Sequence, residues 1–144
     1  VTINAPASGT TAFAVSFANQ TEGLIITDAD STTNNTITGG AGNDSITAIG
    51  TDTLDAGDGD DILVQGTGAY NEKFTGGNGA DTFVINALNT GVLTVTDFGA
   101  DADSFKGAFT STGTLKVTIA DIYTVEFDEN TGCIRYSIYH RWNS

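Results

Sequence analysis

Large apolar residues recur through the middle of this chain at Ile37, Ile46, Leu54, Leu63, Phe74 and Phe83, in steps of 9, 8, 9, 11 and 9 residues. Polar neighbours flank most of them, as Ser45 and Thr47 flank Ile46. Each apolar residue therefore marks a short strand with one side chain inward and its neighbours outward. Helical periodicity is absent, and Thr, Val and Ile are plentiful, so the class is all-β. Strand and turn alternating about every nine residues predict a coil in which two strands complete one circuit. This parallel β-roll is expected over residues 29–98. Residues 1–28 hold an alternating run at 12–17 and a continuous apolar run at 23–27, read as two strands capping the first coil. A solenoid needs such caps because an open end exposes its core and unpaired strand groups. Another strand is expected at 91–96. Residues 99–144 read as an antiparallel hairpin or meander, with strands at 114–119, 123–127 and 133–142 and a turn at 128–132.

The turns between these strands carry the chemistry. Gly39-Gly40-Ala41-Gly42-Asn43-Asp44, Ala56-Gly57-Asp58-Gly59-Asp60-Asp61 and Gly76-Gly77-Asn78-Gly79-Ala80-Asp81 repeat one phrase, each followed two residues on by a large apolar side chain. Together they complete the nonapeptide G-G-x-G-x-D-x-U-x of calcium-binding parallel β-helices, with Ala56 the one departure from its fixed positions. Glycines at the first, second and fourth places allow positive φ, which turns carbonyl oxygens inward without a Cβ clash. Calcium takes six to eight oxygens at roughly 2.3–2.6 Å, and one turn of carbonyls plus one carboxylate supplies about half of them. Two stacked turns complete a site. The starts of the three phrases lie 17 and 20 residues apart, each near two repeats, so each turn stacks on the next along one edge. Two Ca2+ sites follow, one between turns 39–44 and 56–61 and one between 56–61 and 76–81. On the opposite edge a degenerate series places Asn35, Asp52 and Glu72 at the acidic position.

In these residues the chain resembles the repeats-in-toxin (RTX) family of secreted bacterial proteins. Val95-Thr96-Asp97-Phe98-Gly99-Ala100-Asp101-Ala102-Asp103 resembles the strand and acidic turn that close such a roll, and the phrase from Phe127 to Gly132 resembles a hairpin found downstream of it. The resemblance implies a right-handed parallel β-roll, calcium held between successive turns, type I export and folding outside the cell. The ending Tyr139-His140-Arg141-Trp142-Asn143-Ser144 departs from the family's hydrophobic export signal.

Composition narrows the functional classes. At 144 residues and 39% hydrophobic content the chain is most simply one domain, and no apolar run approaches a membrane-spanning length. Its formal charge of −13, from five Lys and Arg against 18 Asp and Glu, speaks against nucleic acid as a partner. A lone Cys133 excludes an internal disulfide. The single His140 stands beside Arg141, and no nucleophile elbow, HExxH or P-loop motif is present, so the chain is not expected to be an enzyme. Two roles remain. One is a calcium-binding structural protein of the cell exterior that joins copies of itself through its terminal strands. The other is a folding and secretion module of a larger exported enzyme or adhesin. The absence of catalytic residues and the β-rich flanks favour the first.

Overall fold

In a computed structural model of the chain, which describes residues 1–4, 11–68, 70–86, 91–99, 102–107, 114–119, 123–128 and 133–138, every regular element is a strand. Strands β1 (Thr2–Asn4), β3 (Ile25–Thr27), β5 (Ser45–Ala48), β7 (Ile62–Gln65), β9 (Thr82–Ile85) and β11 (Ser104–Gly107) form one sheet in that order. The second sheet runs from β2 (Ala14–Ser16) through β4 (Thr36–Gly40), β6 (Thr53–Asp58), β8 (Asn71–Asn78), β10 (Val92–Phe98) and β12 (Thr114–Ile119). It continues into β13 (Tyr123–Asp128) and β14 (Cys133–Ile138). The chain passes from one sheet to the other at each bend. It thereby winds a parallel β-solenoid of about five turns.

Pairing in register stacks like on like. In the second sheet Val15, Ile37, Leu54, Phe74, Val95 and Val117 form one cross-strand row, and in the first Ile3, Ile26, Ile46, Leu63, Phe83 and Phe105 form another. These two rows face each other as the core. The six residues read from the sequence as inward are all at 0% exposure. At one end Phe98 and Phe105 stack with ring centroids 4.3 Å apart, and Phe83 is tilted against both.

The coil is longer than residues 29–98. The segments expected as caps are coils themselves, since β2 pairs in parallel with β4 and β3 lies between β1 and β5 with Ile26 in register with Ile46. Ile26 and Val15 continue the inward rows, so apolar content was read correctly and its place in the stack was not. The acidic turn after β10 does not close the roll either. Strand β11 pairs in parallel with β9, and β12 with β10. Only then does pairing become antiparallel, β12 with β13 and β13 with β14, as a meander added to the last coil. Residues 129–132 of the expected turn, Asp101, and the stretch from 139 to 144 lie outside the described residues.

Full burial of Phe74 between Leu54 and Val95 makes it a test of the core. Phe74→Ala should cost about 3–5 kcal/mol, whereas Thr53→Ala on the outward face should stay within about 0.5 kcal/mol. Urea denaturation of the two variants checks this, and equal losses would contradict the assignment of faces.

Candidate metal centre

The three glycine phrases fall at equivalent bends, leading from β4 to β5, β6 to β7 and β8 to β9, so they stack along one edge. Gly40, Gly57 and Gly77 are partners in successive rungs. Close stacking explains the glycines. Gly57 and Gly77 have φ of 108° and 104°, and a Cβ on Gly77 would strike the carbonyl oxygen of Gly57 below it. Positive φ occurs at the second and fourth places of the second and third turns only, at Gly57, Gly59, Gly77 and Gly79. The first place is different from what the pattern predicts. Gly39 and Gly76 keep ordinary φ, and glycine is needed there because a Cβ would collide with the Ala56 carbonyl and the Asp44 carboxylate at Gly39 and with the Asp81 carboxylate at Gly76.

The aspartates close each turn onto the one before it. Asp61 Oδ1 accepts the Asp44 backbone N–H at 2.7 Å, and Asp81 Oδ1 accepts that of Asp61 at 3.0 Å. Asp103 Oδ1 in turn accepts the N–H of Asp81 at 3.0 Å, and Asp44 Oδ1 that of Leu24 at 2.8 Å. Four carboxylates thus form one ladder. Asp103 was missed as a member, although Gly99-x-x-x-Asp103 repeats the spacing of Gly57 to Asp61 and Gly77 to Asp81. Asp97 also belongs here, because its two oxygens accept the N–H groups of Gly76 and Gly77.

The second carboxylate oxygen divides the ladder. Asp44 Oδ2 accepts the Gly40 N–H at 2.9 Å and Asp103 Oδ2 that of Gly99 at 2.8 Å. In contrast, Asp61 Oδ2 and Asp81 Oδ2 are buried with no hydrogen-bond partner among the described residues. Burial raises the Asp61 carboxyl to about 7 and the Asp81 carboxyl to about 6, the backbone N–H each accepts only partly offsetting it. Neighbouring aspartates add to both shifts. At the rim, exposed Asp58 accepts from Asn78 Nδ2 at 2.7 Å, and Asp60 from the Ala80 N–H at 2.9 Å, so these side chains bind neighbouring turns. Ala41 N–H is bonded to the Gln20 carbonyl. Ala56 is fully buried with the core.

The donor set fits a hard cation between turns 56–61 and 76–81, which carry two buried, unpartnered carboxylate oxygens one coil apart. Among the described residues no three His, Cys, Asp or Glu side chains gather around one point. A cation here would draw the balance of its ligands from backbone carbonyls and water. Equivalent atoms on successive coils repeat at roughly 4.8 Å. A cation midway would stand about 2.4 Å from each, within the calcium range and beyond the roughly 2.0–2.1 Å that magnesium demands. Among the described residues, the 39–44 and 56–61 pair offers one buried, unpartnered side-chain oxygen, that of Asp61.

The opposite edge is acidic too. Asp52 Oδ1 accepts the Asn35 N–H at 2.7 Å, in the manner of the first ladder. Burial raises Asp52 to about 6, and raises Glu72 to about 8. No protein-family model, curated protein or solved structure matches the chain.

These raised carboxyls set a pH dependence. Asp52, Asp61, Glu72 and Asp81 hold protons in the folded state that the unfolded chain has released above about pH 4–5. Stability without metal must therefore fall as pH rises from about 5 to 8.5. Thermal melts in calcium-free buffer across that range should show a declining midpoint, and calcium should flatten the decline by neutralising Asp61 and Asp81. A midpoint rising towards pH 8 would contradict the burial of these groups.

Proposed function

We propose that this chain is a calcium-binding, RTX-like structural protein of the bacterial exterior, a subunit of a surface layer, matrix or filament, with no catalytic role. Its roll becomes rigid when Ca2+ enters the stacked glycine turns. The observation that carries this reading is the pair of buried, unpartnered oxygens Asp61 Oδ2 and Asp81 Oδ2 on successive coils. Without a cation each must be protonated or left bare, and burying a bare carboxylate is costly. With one, both are satisfied. Extracellular calcium modules bind with dissociation constants of about 10⁻⁴–10⁻³ M. At about tenfold excess each site contributes roughly 1.4 kcal/mol. For the one site whose two carboxylate oxygens are free, that is a measurable share of an ordinary domain stability of about 5–15 kcal/mol.

The sheet edges support the subunit role. Strands β2 and β14 are the two outer strands of the eight-stranded sheet. Two antiparallel steps beyond β12 bring β14 back to the direction of β2. A second copy placed end to end would continue the sheet by parallel pairing, a heterologous contact that does not close on itself and so builds filaments.

Chelation tests the calcium step. Removing calcium should lower the thermal midpoint strongly or unfold the roll, with magnesium a poor replacement, and an unchanged melt would sink the reading. Sedimentation in millimolar calcium tests the subunit role. Polymers are expected as concentration rises. A strict monomer would leave the folding and secretion module as the role of this calcium-binding roll.

A further inference from the structure

Five polar side chains line the inside of the second edge: Asp28, Asn35, Asp52, Gln65 and Glu72, each no more than 2% exposed. Asn35, Asp52 and Glu72 stack in consecutive rungs, one residue before the paired Thr36, Thr53 and Lys73. Gln65 ends β7, so Gln65 and Glu72 face each other across the bend that carries the chain into β8. Some of their atoms are well served. Asn35 Nδ2 donates to Asp28 Oδ2, the Asp30 N–H to Asp28 Oδ1 at 2.9 Å, and the Asn35 N–H to Asp52 Oδ1.

Four atoms are not. Asp52 Oδ2, Gln65 Oε1 and both Glu72 carboxylate oxygens are buried without a partner among the described residues. The Gln65 side chain and the Gly66 amide lie near enough to Glu72 to favour its ionised form, yet no hydrogen bond of ordinary geometry reaches either oxygen. All four are acceptors. Lys73, next in the chain, is exposed on the outward face of β8 and brings no charge inside.

We propose that the second edge holds its own hard divalent cation, bound by the side-chain oxygens of Asp52, Gln65 and Glu72. This site goes beyond the glycine-turn reading and stands without it, since its donors are side chains from two sheets and not the carbonyls of a repeated turn. One proton serves only two of the four oxygens, one as its carrier and one as its acceptor, and serving all four takes a proton on each carboxyl with the loss of both charges. A single cation would take these oxygens as ligands with both charges kept, and two carboxylates with one amide oxygen are a calcium-like donor set. Asp52 and Glu72 occupy neighbouring rungs, so the spacing that favours calcium over magnesium on the first edge applies here as well. A groove of about 530 Å³ lies over this edge, lined by the outward-facing Lys73, Thr94 and Lys116 as well as by Asn35, Asp52 and Glu72, and the buried oxygens do not open onto it.

Calorimetric titration with calcium, and with magnesium alone as a second probe, tests the site on the full chain, on Glu72→Gln, on Asp61→Asn with Asp81→Asn, and on all three changes together. Glu72→Gln keeps the shape and removes a charge, so it should fold. Circular dichroism checks that, and Asp52→Asn supplies a second lesion in the same site. The first-edge double variant is expected to retain one calcium, Glu72→Gln to bind one fewer than the full chain, and the triple variant to bind none. An unchanged calcium count in folded Glu72→Gln overturns the proposal, and so does complete loss of binding in the folded first-edge double variant. If Glu72→Gln raises the calcium-free melting point while the count stays the same, a shared proton serves these oxygens and the cation site is wrong. Failure of the first-edge reading looks different, because the double variant would then keep the full count.

Discussion

Stacking in register is the constraint from which the rest of this molecule follows. Each coil places its residues over the equivalent residues of the coil below, so whatever one rung contains is repeated at the strand spacing. For Ile37, Leu54 and Phe74, or Ile46, Leu63 and Phe83, that repetition is favourable, because like apolar surfaces pack and leave water together. For Asp44, Asp61, Asp81 and Asp103 it is not. The same register that builds the core piles carboxylates into a column, where Asp44 and Asp81 raise the proton affinity of Asp61, and Asp103 that of Asp81. Part of the cost is offset by the backbone, since each Oδ1 accepts the N–H of the preceding turn. What remains falls on the second oxygen, and there the column is divided between members that find a local N–H donor and members that do not.

Much of the fold was legible because one-dimensional repetition in sequence becomes one-dimensional repetition in space. The spacing of six apolar residues located six inward positions and the alternation of sheets between them. Legibility failed where the repeat lost its signature and kept its geometry. Val15 and Ile26 sit in segments without a glycine-aspartate phrase, so nothing in their own neighbourhood distinguishes a coil from a cap. Phe105 and Val117 lie beyond the acidic turn for the same reason. At the site, sequence identified the glycine positions but not why each is glycine. Positive φ at Gly57 and Gly77 could be anticipated from residue type, whereas the room that Gly39 and Gly76 leave for a carboxylate depends on a side-chain position that no pattern encodes. Asp103 was within reach of the pattern, through its spacing to Gly99.

The two edges solve the same problem with different chemistry. On the first, glycine lets backbone carbonyls crowd beside the carboxylates, so the donors come from the turn. On the second, Ile49 and Tyr70 occupy bends that lack the repeated glycines, and the polar burden moves inward to side chains, Gln65 and Glu72 among them. Glu72 then shares a rung with Leu93, a carboxylate directly against an apolar core residue. Such a position is costly in isolation and tolerable only with a proton or a cation at hand.

Charge links these local facts to the whole chain. With 18 acidic residues against five basic ones, few cationic side chains are available to neutralise the columns from within. Of the described basic residues, Lys73, Lys106 and Lys116 are exposed, away from the buried oxygens. Neutralisation therefore has to come from solution, as protons at low pH or as metal at neutral pH. On the calcium reading proposed above, a roll built this way would be loose where calcium is scarce and firm where it is abundant, so that a chain of stacked like charges would stay extended until it reaches a calcium-rich medium.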